Sequence, residues 1–190
     1  MTMIARLAEH YITASRQLDR ISSEALPIIA RLIFGITLVA FFWRSGLTKL
    51  GDGLAGFVIP SAGAYAQILP RKFEAAGYDT AAMGALDWLV VMAGTYGEFI
   101  LPLLIILGLA TRLAAAGMIG FIIVMSIVDV TGHGVSVGGL LDGNPGSIIP
   151  DQRLYWTVPL LILLFRGGGT LSLDHVICLI VKPKSFNNKL

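Results

Sequence analysis

Four apolar runs govern this chain, at residues 27–43, 88–109, 113–130 and 151–165. Each approaches the roughly 20 residues an α-helix needs to cross a hydrocarbon core about 30 Å thick. No water is available there to satisfy a free N–H or C=O, so such runs cross as helices. The fourth run is the shortest and spans only if Tyr155, Trp156 and Pro159 lie within it. Composition agrees. Charged residues make up 14% of the 190 and hydrophobic ones 55%, against about 25% charged in ordinary soluble domains. Mean hydropathy is +0.78. For the chain as a whole these numbers exclude disorder, a coiled coil and a nucleic-acid-binding domain. The fold class is therefore all-α: an integral membrane four-helix bundle over residues 27–175, with the lipid bilayer as its first partner.

The flanks carry their own signals. Residues 1–26 lack the apolar h-region and small-residue cleavage site of a secretory signal. Ile4, Leu7, Tyr11, Ala14, Leu18 and Ile21 alternate spacings of 3 and 4, which places them on one helical face. This predicts an N-terminal amphipathic helix, lying in the membrane interface or packed on the end of the bundle. Ser22, Ser23 and Glu24 read as capping residues and Pro27 as the first turn of the first span. Trp43 and Arg44 mark its far interface, and Tyr155 and Trp156 belong to the aromatic belt. Residues 44–82 read as a partly structured loop with one or two short helices, and residues 131–150 as a glycine-rich loop. Gly167, Gly168 and Gly169 stop the fourth span. Ser172 caps a short surface helix through Val181, and residues 176–190 form a C-terminal tail. Lys and Arg are dense in the N-tail, at Arg112 and in the C-tail. On the positive-inside rule this places both termini in the cytoplasm.

Glu98, in the middle of the second span, is the most informative residue. An acidic side chain at that depth costs about 2.5 kcal/mol or more, so it faces the bundle interior and is a candidate functional group. Gly94 and Gly97 leave space beside it. Pro102 has no N–H for its carbonyl. Its candidate cationic partners are Arg44 and Lys49. If the first helix continues past Trp43, Arg44 and Thr48 share one face and Ser45 and Lys49 the next. The plainer alternatives are a structural tie at Glu98 and snorkelling at Arg44 and Lys49. Arg31 reads as a headgroup anchor. Asp129 and His133, with Ser126 one turn earlier, form a secondary candidate that could relay a proton or hold a metal, against a helix end dissolving into a loop. The histidines, His10, His133 and His175, are too scattered for a bis-histidine haem or a metal centre. The single cysteine, Cys178, excludes an intramolecular disulfide and a Cys-x-x-Cys pair.

Several short motifs recur in a fixed order. They are Ser45-Gly46-Leu47-Thr48-Lys49-Leu50, Gly97-Glu98, the turn from Leu107 to Ala115 through Arg112, and Gly167-Gly168-Gly169-Thr170-Leu171-Ser172-Leu173-Asp174. With these the chain resembles the DoxX family of small four-helix bacterial membrane proteins. The family name comes from a subunit of a quinone-reducing thiosulfate oxidase, and other members resemble partners in membrane redox or thiol-stress complexes. The resemblance implies an inner-membrane, redox-linked accessory subunit with a quinone-like ligand near Glu98. Gly46, Lys49, Glu98 and Arg112 are the matching positions. A non-enzymatic partner or assembly protein is the alternative, and a small proton-coupled transporter a second one. The N-terminal segment and long first loop depart from short members and suggest a protein partner.

Overall fold

The computed structural model describes residues 3–140 and 145–181, and among these it forms helices and turns without a strand. The first helix, α1, runs Met3–Lys49. The connecting segment after it holds α2 (Ala62–Ile68) and α3 (Pro70–Ala75). Then come α4 (Ala85–Leu107), α5 (Thr111–Thr131), α6 (Ile148–Arg166, opening with a π-turn) and α7 (Leu173–Val181). Four of them, α1, α4, α5 and α6, are long and apolar enough to cross a membrane. They pack in a ring in chain order, the fourth span closing against the first.

The start of the first span differs from the sequence expectation. The amphipathic segment and the span are one unbroken helix, so residue 27 is no terminus. Pro27 sits buried inside the helix. The hydroxyls of Ser22 and Ser23 do not cap; they donate to the carbonyls of Asp19 and Arg20 three residues back. At the other end the helix also runs six residues past Trp43, after a π-turn at Gly35–Val39. That continuation carries Ser45 and Lys49 into the bundle. The tail boundary likewise falls inside a helix, since α7 covers 173–181; residues 182–190 lie outside the described residues.

The core is built at helical spacing. Phe34, Leu38 and Phe42 of α1 meet Ile105, Met118, Ile122, Leu160 and Leu163, all buried. Trp156 is not a belt residue: it packs on Phe41 and Phe42, ring centroids 5.1 and 6.3 Å apart. In lipid such contacts hold helices by van der Waals fit, because the tails are as apolar as the side chains. Gly46 shows how close the fit is. A Cβ there would lie 2.7 Å from the ring of Phe99. The segment between spans one and two has its own small core of Ala64, Tyr65, Phe73 and Val91, which seats it over the bundle.

The two ends of the bundle are built differently. At the end carrying the termini, Arg31 is not a headgroup anchor. Its guanidinium donates to the carbonyls of Ile105 (3.0 Å), Ile106, Gly168 (3.2 Å) and Leu171, tying α1 to the last turn of α4 and to the glycine loop. Gly108 ends α4 at φ +67°, with Ser172 and Arg31 against the place a Cβ would occupy. Asp174 caps α5, accepting from the backbone N–H of Ala110 (2.7 Å) and Thr111 (2.8 Å). Burial pushes the Asp174 carboxyl up, but its bonds to Thr111 and Ala110 and the nearby Arg31 charge hold it below the usual carboxylate value. Ser172 Oγ accepts from His175 N–H at 3.2 Å and so caps α7. Arg112 points outward, exposed. At the opposite end, the loop end, the spans separate around a cavity.

Candidate functional site

The site begins with spacing. Ser45 and Lys49 are four apart on the last turns of α1, and both side chains turn toward α4. Lys49 Nζ donates to Glu98 Oε1 (3.0 Å) and Oε2 (2.9 Å), and to Ser45 Oγ (2.7 Å). Ser45 Oγ donates in turn to Glu98 Oε1 at 3.0 Å. The two charged side chains are only 3% and 5% exposed. Charges this deep hold only when paired, and removing one partner typically costs about 3–5 kcal/mol. Arg44 lies on the neighbouring face of α1 and is exposed, away from Glu98. The indole of Trp43 donates to the carbonyl of Phe99, next to Glu98, at 3.3 Å.

A second ion pair stands nearby, and only half of it was in view from the sequence. Asp129 does not pair with His133. Its carboxylate accepts from Arg153 Nη2, just after the π-turn that opens the fourth span. Arg153 is the residue that sequence reasoning missed. It looks like a loop charge because it follows Pro150 and Asp151. The available signal was depth: Asp129 ends one span and Arg153 begins the next, so antiparallel packing sets them level. His133 instead places Nε2 3.0 Å from the carbonyl of Gln67. Ser126 Oγ donates to the carbonyl of Ile122 at 2.7 Å within its own helix.

Both pairs line one partly open cavity of about 190 Å³. Its polar wall is Ser45, Lys49, Glu98, Asp129 and Arg153, with Gln67 toward the loop end. Its apolar wall includes Phe41, Phe121, Val124 and Met125. Phe41 and Val124 are also 46% and 60% exposed on the hydrocarbon-facing surface. Gln67 and Asp129 border a second, more open groove of about 550 Å³ that holds His133 at the loop end. The cavity therefore lies between the lipid and the water at that end.

The hydrogen-bond ledger of the cavity is uneven. Lys49 directs its protons at Glu98 and Ser45, and both Glu98 oxygens accept. Arg153, with its side chain 8% exposed, gives Nη2 to Asp129, while Nε and Nη1 are buried without an acceptor among the described residues. A buried donor left unmade costs about 1–3 kcal/mol. Among the described residues no three His, Cys, Asp or Glu side chains come together to hold a metal.

A four-span helical bundle with two ion pairs around an intramembrane cavity is the class of protein defined here. Residues 26–133 match the model of the DoxX family, more than half of the chain, and the chain belongs to that family. No curated protein and no solved structure matches it.

Proposed function

We propose that this protein is a redox-linked accessory subunit of the inner membrane whose cavity receives the head of a quinone-like amphipathic molecule. What supports the reading is Arg153, in the wall of a cavity whose apolar side reaches the surface at Phe41 and Val124, with two buried guanidinium donors that have no acceptor among the described residues. A guanidinium with free N–H groups calls for an acceptor such as a carbonyl oxygen. With both ion pairs charged, the formal charges around the cavity cancel. A neutral acceptor head fits that balance better than an anion, whose charge would enter a low-dielectric site unpaired. Phe41, Phe121, Val124 and Met125 supply the apolar surface for the ring and tail. On this reading Lys49–Glu98 shapes the site and Arg153 holds the head.

The test is extraction. The full-length protein purified from native membranes is expected to retain an amphiphile detectable by mass spectrometry. Arg153→Lys keeps a charge for Asp129 but removes the spare forked donors. It should retain about tenfold less, the equivalent of one hydrogen bond of about 1.4 kcal/mol. Equal retention by Arg153→Lys, or none by the wild type, overturns the reading.

One observation favours the partner or assembly reading as well. Residues 3–21 project from the bundle with their apolar stripe exposed. Co-purification of a larger complex without any amphiphile would support it. A proton-coupled transporter, with Glu98 as the protonatable group, would instead be recognised by substrate-dependent proton flux in liposomes that Glu98→Gln abolishes.

A further inference from the structure

The apolar stripe of the N-terminal segment has no cover among the described residues. Ile4, Leu7, Tyr11, Leu18 and Ile21 are 61–77% exposed. The usual cover for such a stripe in a membrane protein is the bilayer interface, which requires the helix to turn and lie flat. Here α1 continues through Pro27 into the first span. Pro27, buried against the Gly169 loop, marks the terminal end of the bundle. At 1.5 Å per residue, Ile21 stands about 9 Å and Ile4 about 35 Å beyond that level. The headgroup layer adds only about 5–8 Å to each side of the hydrocarbon. Along this unbroken helix the stripe from Leu18 outward stands beyond the headgroup layer and faces water.

We propose that residues 4–25 form a parallel two-stranded coiled coil with the same segment of a second copy of this chain. The 3-4 spacing of the stripe is a heptad repeat, carried on by Ala25. Ile4, Tyr11 and Leu18 take the a positions, and Leu7, Ala14 and Ile21 the d positions. A mean period of 3.5 residues is that of a left-handed supercoil. The composition that excludes a coiled coil for the whole chain is the composition of its spans, and this segment lies outside them.

The flanks of the seam argue for self-pairing. Arg6, Glu9, Arg16, Asp19 and Arg20 all fall on the outer b, c and f positions. The e positions are Ala8, Ser15 and Ser22, small and uncharged. The g positions from the first full heptad are His10, Gln17 and Glu24. In a parallel pair, His10 faces the copy's residue 15 and Gln17 its residue 22, with no like charges opposed. Partner choice between different helices is commonly written in e and g charges. This seam lacks that pattern and does not repel its own copy. The membrane supplies the rest: two copies inserted the same way present their helices parallel and in register, as a two-fold interface requires.

The test uses the full chain with Cys178→Ser, reconstituted in nanodiscs large enough for two copies. Single cysteines are introduced at the seam (Leu7→Cys or Ala14→Cys) or on the outer face (Glu9→Cys or Arg16→Cys). Mild oxidation is expected to double the mass of the seam variants and to leave the outer variants monomeric. Adding Leu18→Lys and Ile21→Lys should abolish the doubling at position 7, while the melting curve of the membrane bundle stays in place. Equal crosslinking at positions 9 and 14 overturns the proposal, as does monomeric mass at all four positions. A fluorophore at position 14 quenched by brominated acyl chains as strongly as one at the lipid-facing position 36 also overturns it, making lipid the cover.

Discussion

Glu98 and Lys49 face each other where neither can be solvated, so each is the condition for the other's charge. Glu98→Leu or Lys49→Met alone strands a buried ion and should destabilise the protein by about 3–5 kcal/mol. Replacing both, as Lys49→Met with Glu98→Leu, removes both desolvation penalties and should cost much less than the sum. Thermal unfolding of the four proteins in one detergent measures the coupling, and simple additivity would refute it. Glu98→Gln keeps the shape and hydrogen-bonding capacity without the charge. It still offers Lys49 an acceptor but no counter-ion, so it should destabilise less than Glu98→Leu, and it should lose ligand as well if the charge matters to the site. Gly46→Ala tests the close approach that lets this pair form. A Cβ 2.7 Å from the Phe99 ring forces a shift, and overpacking of this kind costs about 1–3 kcal/mol. Glu98 was legible in the sequence because a mid-span carboxylate is conspicuous. Choosing Lys49 over Arg44 required knowing that the helix continues past Trp43. Arg31 and Arg153 were illegible for a related reason: each is a charge at a span end, where sequence cannot separate a headgroup anchor from an internal donor.

At the scale of elements, the second, third and fourth spans were legible from apolar length and from Gly108 and Gly167, while the first was cut in the wrong places. Ser22, Ser23 and Pro27 carry the residue types of a helix start. A proline inside a helix removes the hydrogen bond at its own N–H and crowds the carbonyl four residues back, yet the buried packing of Pro27 and Ala30 holds the helix together through it. The cap that does operate is remote. Asp174, 63 residues beyond Thr111, satisfies the first N–H groups of α5, and no local pattern announces it. Asp174→Ala should destabilise by about 0.5–2 kcal/mol, the range for losing a good N-cap, and Asp174→Asn by less, since its amide oxygen can still accept. The pH dependence has a definite sign. The carboxyl is held below its ordinary value in the folded protein, so its contribution is complete above the unfolded value of about 3.9. It is lost as pH falls below that value, because protonation then favours the unfolded chain. Melting temperatures across about pH 3 to 6 should show a steeper acid decline for the wild type than for Asp174→Asn. Parallel curves would remove Asp174 from this role.

For the whole molecule, four crossings place both ends of the chain on one face of the membrane, and the charge distribution says which face. From sequence alone, the loop side holds Arg44, Lys49, Arg71, Lys72 and Arg153, a substantial rival to the charges on the terminal side. The fold removes two of these from the count. Lys49 and Arg153 are spent inside the bundle on Glu98 and Asp129. Lys72 is in part neutralised by Asp87, 2.6 Å away. On the terminal side, Arg6, Arg16, Arg20 and Arg112 are all exposed. Orientation follows free Lys and Arg near span ends rather than total charge, so the asymmetry is sharper in the folded molecule than in its sequence. Both termini are therefore expected in the cytoplasm, with the cavity near the opposite face. In a Cys178→Ser background, Thr80→Cys should react with a membrane-impermeant maleimide in right-side-out vesicles. Arg16→Cys should react only in inverted ones. Reaction of both from the same side would end the four-span topology. Reaction of position 16 from outside, with position 80 protected, would keep the topology and reverse the orientation.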